Sequence, residues 1–158
     1  MVRVRVRRAG SRDLDALVEL CAGLFAEDGG HRDATIDVGW PRREGRRYFH
    51  RVIGDAEALG IVAEVDDMAV AYLVGRMREP VDVRPVRVAD LEAMYVLPDH
   101  RSRGIGTALV SEFRSWANQM RAERLSVTAF AANVDAIRFY EREGFAPRSL
   151  SLEAPASA

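Results

Sequence analysis

The sequence predicts a mixed α/β (α+β) domain, one sheet flanked by helices. Three observations predict it. Short runs alternate apolar with polar residues, beginning with Val2, Val4 and Val6 between Arg3, Arg5 and Arg7, which is the period of a strand. Two longer segments, starting at Leu14 and at Ile105, repeat apolar residues at helical spacing instead. Between Met94 and Leu109 a strand, a turn and a glycine-opened helix follow one another. The 158 residues suffice for a single domain, 1–158, and no linker, repeat or low-complexity tract divides them.

The elements follow in order. After Gly10-Ser11, the residues Leu14, Leu17, Val18, Cys21, Leu24 and Phe25 form one helical stripe. Ser11 or Asp13 is its expected cap, and it ends near Glu27-Asp28-Gly29-Gly30. A polar stretch runs from His31 to Gly39. A second helix begins around Pro41, a residue suited to a first helical turn, and reaches about Ile53. Leu59 to Val65 and Ala69 to Met77 read as two strands joined at Asp66-Asp67, a hairpin. Pro80 and Pro85 bracket a loop, and Val86 to Val96 is a longer strand stopped by Pro98. Ile105, Ala108, Leu109, Phe113 and Trp116 mark the next helix, and Leu125, Val127 and Ala129 a strand. Ala136, Phe139 and Tyr140 mark a short helix ended by Gly144, and Phe145 to Leu152 reads as a last strand. Residues 153–158 are small and polar, a frayed tail.

Composition narrows the function classes. Hydrophobic residues make up 48% and charged residues 30%, which is enough apolar material for a real core. A net charge of −1 provides no whole-molecule field to draw in nucleic acid or an anionic membrane, so neither is an expected partner. All 23 basic residues are arginines, which excludes a lysine Schiff base and a Walker-type lysine. Cys21 has no disulfide partner and falls on the apolar helical stripe, so it reads as core. Without a signal-like apolar run or a membrane-length segment, the chain is expected to be soluble and cytoplasmic. No cluster of His, Cys and Asp has ligand spacing, so no metal is expected.

The segment from Met94 to Leu109 carries the chemistry. The first N–H groups of a helix lack internal partners and lie at the positive end of its dipole. Gly104 and Gly106 let a ligand approach that bare backbone, and Arg101 and Arg103 add mobile positive charge. The result is an anion site suited to a pyrophosphate. A dinucleotide fingerprint would need a small residue where Leu109 stands, and a Walker loop would need Gly-Lys-Ser/Thr. A plain structural turn is the remaining alternative.

The segment resembles the acetyl-CoA-binding motif of the GNAT superfamily of N-acetyltransferases, Arg/Gln-x-x-Gly-x-Gly/Ala. Arg101, Gly104 and Gly106 match it, and Tyr95-Val96-Leu97-Pro98 is similar to the strand end that precedes it. About 30 residues further on, Asn133, Ala136, Phe139, Tyr140, Gly144 and Phe145 resemble the family's Asn-x-x-Ala-x-x-Phe-Tyr segment ending in Gly-Phe. The order of elements fits across nearly the whole chain. The resemblance implies a mostly antiparallel sheet with a splayed strand pair and about four flanking helices.

It also implies roles. The pyrophosphate of acetyl-CoA, the expected cosubstrate, would sit on the turn from Arg101 to Thr107, meaning Arg101, Ser102, Arg103, Gly104, Ile105, Gly106 and Thr107. Its pantetheine arm would pair with the backbone of the preceding strand at Met94, Tyr95 and Val96, freed by a bulge. Asn133 and Phe139 would contact the cofactor, although Asn133 suits a helix cap equally well. Tyr140 is the catalytic candidate as proton or hydrogen-bond donor to the departing thiolate; a core tyrosine beside Phe139 is the alternative. A thiol pKa of about 8.5 against a phenol of about 10 makes full proton transfer slightly uphill, so a hydrogen bond to developing charge is the larger expected effect.

The attacking amine must first lose a proton. Glu92 and Asp90, two residues apart and so on one strand face, are candidate acceptors, with a solvated or salt-bridged carboxylate as the alternative for each, and His100 and His31 weaker ones. The first helix-to-helix connection holds Glu27, Asp28, Asp33 and Asp37 beside His31 and Arg32. A local acidic excess there would attract a small cationic amine, whereas solvated loop charge is the plainer reading. Trp40, Tyr48 and Phe49 either wall an apolar pocket or belong to the core. The expected function is acetyl transfer to a primary amine of a small cationic molecule. Acetylation of a protein terminus or lysine, or a non-catalytic acyl-CoA sensor, stand as alternatives. By analogy with the family, a homodimer is the expected assembly.

Overall fold

The computed structural model describes residues 3–157; Val2, the first valine of the alternating run, and Ala158 at the end of the tail lie outside the described residues. The chain divides into two compact units, separated after Thr128.

Five strands lie in chain order in the first unit: β1 (Val4–Arg8), β2 (Ala58–Val65), β3 (Met68–Arg78), β4 (Val88–Val96) and β5 (Arg124–Val127). The first four pair antiparallel; β5 runs parallel to β4. A parallel pair needs a crossover, and α3 (Ile105–Gln119) supplies it. Asp66 and Asp67 turn the β2–β3 hairpin with φ of 50° and 62°, the double left-handed conformation that matches strand twist.

α1 (Leu14–Leu24) and α2 (Trp40–Gly54) cover one face of the sheet. Leu14, Leu17, Leu20 and Cys21 from α1 and Phe49 and Val52 from α2 pack against Val62, Tyr72, Val74 and Tyr95. Burial pushes the thiol of Cys21 up, as expected for a core cysteine. α3 covers the opposite face with Ile105, Leu109 and Phe113. Gly75 marks the closest approach there: a Cβ at that position would stand 2.9 Å from two ring carbons of Phe113 and 3.2 Å from Trp116. Gly75→Val is therefore expected to lose about 1–3 kcal/mol through overpacking, read as a lower denaturant midpoint at unchanged slope.

Two sequence expectations need correction. The first helix does not end at Gly29-Gly30: it continues through a π-helical turn (Phe25–Gly29) and one further turn to Arg32. Both glycines keep right-handed φ, −59° and −63°, so neither acts as a stop. On β1 itself, Arg7 lies between Asp13 and Glu64. The expected last strand, Phe145 to Leu152, does not form; residues 145–157 contain neither helix nor strand. Leu150 and Leu152 are exposed, and an apolar alternation that no second strand pairs with is not stable alone. The second unit contains one helix, α4 (Val134–Arg142).

Candidate active site

The β3–β4 ladder breaks register between Val74 and Gly75. Val74 pairs with Ala93 but Gly75 with Leu91, which leaves Glu92 as the extra residue of a bulge. On the other side β5 accompanies β4 only from Val88 to Leu91. From Glu92 onward β4 has no strand partner on that side among the described residues. The N–H of Leu97 donates to the carbonyl of Val70 on β3 at 2.9 Å. Alternation then turns the backbone groups of Tyr95 toward β3 and those of Met94 and Val96 away from it, along the open edge. The bulge that the family resemblance implied is thus present, at Glu92.

Pro98–His100 form a short 3-10 turn, and the next residues set up α3. Ser102 and Gly104 are both left-handed, with φ of 59° and 82°. The first intrahelical bond runs from the Ala108 N–H to the Gly104 carbonyl at 3.0 Å, so the amides of Ile105 and Gly106 precede the ladder. The side chain of Ile105 anchors this end in the core. Apart from its chain neighbours, a Cβ at Gly104 would meet no atom within 4 Å, so the turn is open at that residue. That opening, the bare amides and exposed Arg103 suit a phosphate group. Thr107 is the third residue of the helix.

Arg101 departs from the expectation of mobile charge. Its Nε donates to the Val96 carbonyl at 2.9 Å, and its two terminal nitrogens donate to the carboxylate of Glu27 at 2.6 and 2.8 Å. Tyr95 donates to the same carboxylate at 3.0 Å, with the guanidinium 5.3 Å above its ring. The adjacent guanidinium holds Glu27 below the usual carboxylate range. Burial, reinforced by that carboxylate, raises the Tyr95 phenol.

Both candidate bases are engaged. Asp90 is buried; it accepts from Arg78 at 2.7 Å and from the Ser126 hydroxyl at 2.6 Å. Glu92, at the bulge, accepts from Arg76 at 2.9 Å and from the Tyr48 hydroxyl. Burial and the Glu92 carboxylate push the Tyr48 phenol well up, so it remains a donor. Arg76 and Arg78 lie two residues apart on β3, which keeps Asp90 and Glu92 on one face of the sheet. Beside Glu92, Phe25 stacks on Trp40 at 5.6 Å between centroids, and Trp40 meets Tyr48 edge-on at 5.5 Å. These rings are half-buried and form a wall. Phe49, by contrast, is core.

The acidic excess expected between the first two helices is mostly neutralised in place. Glu27 pairs with Arg101, Asp28 with Arg32 and Asp37 with Arg43, while Asp33 caps the Thr35 backbone. His31 lies in this segment, and His100 sits in the 3-10 turn with no partner for its buried Nδ1.

In the second unit Asn133 caps α4, its side-chain oxygen accepting from the Ala136 N–H at 3.1 Å. Tyr140 lies edge-on to Phe139 and Phe145, at 5.2 and 5.7 Å. The first unit therefore brings together Asp90 through Thr107, and the second brings together Asn133, Phe139 and Tyr140. Sequence reasoning missed Arg76 and Arg78 as partners of Glu92 and Asp90, and Glu27 as partner of Arg101. These are long-range pairs with no local pattern. Among the described residues, no group of three or more His, Cys, Asp or Glu is placed to hold a metal ion, and no helix is long and apolar enough to cross a membrane.

A bulged, half-partnered strand leading into a glycine-opened helix defines a class, and the comparisons agree: residues 6–145 match the acetyltransferase (GNAT) family, to which the chain belongs. An aminoglycoside N(6')-acetyltransferase of Acinetobacter baumannii is 31% identical over 111 residues, 67% of this chain and 76% of that protein. An uncharacterised N-acetyltransferase of Methanocaldococcus jannaschii is 30% identical over 100 residues, 63% of this chain but only 44% of the relative's length. Among solved structures, an aminoglycoside N-acetyltransferase in complex with CoA has the same fold, with a TM-score of 0.78 at 15% identity, covering 100% of this chain and 97% of its own.

Proposed function

We propose that the protein transfers the acetyl group of acetyl-CoA to a primary amine of a small molecule, by direct attack in a ternary complex. The observation that carries this reading is the open edge of β4 running straight into the Gly104 turn. A strand-like arm ending in a diphosphate can use both, with its amides on Met94 and Val96 and its phosphates at residues 101–107. The relatives named as aminoglycoside acetyltransferases support a small amine as acceptor. Since the carboxylates near α1 already have partners, the acceptor is held by the Phe25–Trp40–Tyr48 wall and by Glu92 rather than by a broad acidic field.

In this mechanism the amine nitrogen attacks the thioester carbonyl and the carbon–sulfur bond breaks. One proton leaves the ammonium before attack, through water to Glu92, whose carboxylate stands at the bulge. The second, carried by nitrogen once the new bond forms, passes to solvent, and the freed thiolate ends as the thiol. Asp90, whose two oxygens are engaged as those of Glu92 are, is buried away from water and supports the strand, whereas the Glu92 side chain is 32% exposed. Tyr140 donates to the departing sulfur. An alkyl amine has a pKa of about 10, so removal of its proton precedes attack at neutral pH.

Release of free thiol from acetyl-CoA, measured against a broad amine library, tests the reading. Tyr140→Phe is expected to lower kcat about 100-fold, the lower range for a lost proton donor, with acetyl-CoA affinity unchanged within about twofold. Cosubstrate binding without thiol release by any amine would point to a sensor. Release only with peptides would point to a protein substrate.

A further inference from the structure

The pair formed by Glu27 and Arg101 spans 74 residues of sequence and joins the π-helical turn to the start of the candidate diphosphate site. We propose that Glu27 is a positioning residue for that site. It fixes Arg101, and through Arg101 the left-handed turn that presents the α3 amides. The proposal rests on the acetyl-CoA reading and deepens it.

The argument begins with what holds the turn. Its last backbone bond before the helix runs from the Arg101 N–H to the Pro98 carbonyl, at 3.2 Å; the next begins at Ala108. Between them Ser102 and Arg103 make no hydrogen bond among the described residues. Yet Ser102 adopts a φ of 59°, a conformation that a side chain resists, and Gly104 follows at 82°. Such geometry persists only where surrounding contacts over-determine it. On the helix side Ile105 is anchored in the core; on the strand side the turn is tied by the Arg101 side chain, through two bonds to Glu27 and one to Val96.

The partner is itself fixed. Glu27 accepts from Tyr95, whose ring is buried in the core, and Phe25 of the same π turn stacks on Trp40. One extra residue in a helical turn re-aims side chains, and such turns recur at functional sites. With three of its N–H groups committed to protein, Arg101 serves as a strut, and exposed Arg103 is left to meet the phosphates.

A global stability role does not explain the pair. Its side chains are 40% and 45% exposed, and ion pairs at that exposure add little to folding. The expected signature is therefore selective: loss of affinity for ligands that carry the diphosphate, at nearly constant melting temperature.

The test compares acetyl-CoA with S-acetylpantetheine, which lacks the diphosphate, by direct binding to the full chain. Glu27→Gln is expected to weaken acetyl-CoA about tenfold, to leave S-acetylpantetheine within about twofold, and to keep the melting temperature within about 2 °C. Arg101→Gln is expected to lose at least as much, and the double variant to be no weaker than Arg101→Gln alone, because the two act as one unit. Unchanged acetyl-CoA affinity in Glu27→Gln overturns the proposal. So does an equal loss for both ligands, or losses that add in the double variant. If wild-type protein takes up no acetyl-CoA at all, the cosubstrate reading itself fails, and the proposal with it.

Discussion

Exchanging Gly104 for valine is expected to weaken acetyl-CoA binding about 100-fold, roughly 2.8 kcal/mol, while the protein stays folded. The two effects separate because of what surrounds this residue. Apart from its own chain neighbours, nothing lies within 4 Å of a Cβ placed there, so the substitution's β-carbon itself meets no obstacle. Its intrinsic cost is the left-handed φ of 82°, about 1–2 kcal/mol for a residue with a side chain. The new methyl groups instead fill the space in front of the Ile105 and Gly106 amides, where the diphosphate is proposed to lie. Calorimetry with acetyl-CoA, alongside a melting curve, distinguishes the outcomes. Wild-type affinity in a folded Gly104→Val protein would mean that the diphosphate is held elsewhere.

The largest loss of stability is expected from Arg7→Ala. Arg7 donates twice to Asp13 at 2.8 Å and also to Glu64, and the three side chains are 15%, 7% and 11% exposed. Asp13 in addition accepts the Gly10 N–H at 2.8 Å, so the cluster ties β1 and β2 to the start of α1. Removing one partner of a buried charge group leaves the others uncompensated, a cost of about 3–5 kcal/mol. Arg7→Ala would leave two carboxylates facing each other. Acid titration adds a second signature. The Arg7 guanidinium holds the carboxyls of both Asp13 and Glu64 below their usual range. Groups depressed in the folded state contribute stability that is present above about pH 4 and is lost as pH falls through their lowered values. Wild-type melting temperature is therefore expected to drop on acidification below about pH 4. In Arg7→Ala the carboxylates prefer to be protonated, and the same acidification is expected to flatten or reverse that fall.

How far the chain could be read without coordinates depended on the range of the interactions. The Asp66-Asp67 hairpin, the α1 and α3 stripes and the Pro98-to-Gly104 turn are local patterns, and each appears where it was expected. The π turn was not legible, since Gly29-Gly30 reads as a stop and the turn's side chains meet partners distant in sequence, Phe25 on Trp40 and Glu27 on Tyr95 and Arg101. Arg101 looked like a spare cation because its partner lies 74 residues away. Whether Glu92 and Asp90 were bases or salt-bridged carboxylates was open for the same reason: the arginines that pair with them are on the neighbouring strand. The alternation at Phe145 to Leu152 misled in the opposite sense. It describes a surface able to enter a sheet, and no strand forms there.

The parting of β4 from β5 after Leu91 has a cost of its own. Rows of amides and carbonyls without a strand beside them are ordinarily found at the rim of a sheet, where short length, charge or proline guards them from foreign chains. Here the stretch without a strand beside it begins between two strands of the sheet and includes Met94 and Val96, the Val96 carbonyl being met by Arg101, and sequence change to guard it would also disturb whatever docks there. Protein purified without its nucleotide thioester is thus expected to self-associate over time, and a stoichiometric dose of CoA to keep it monodisperse.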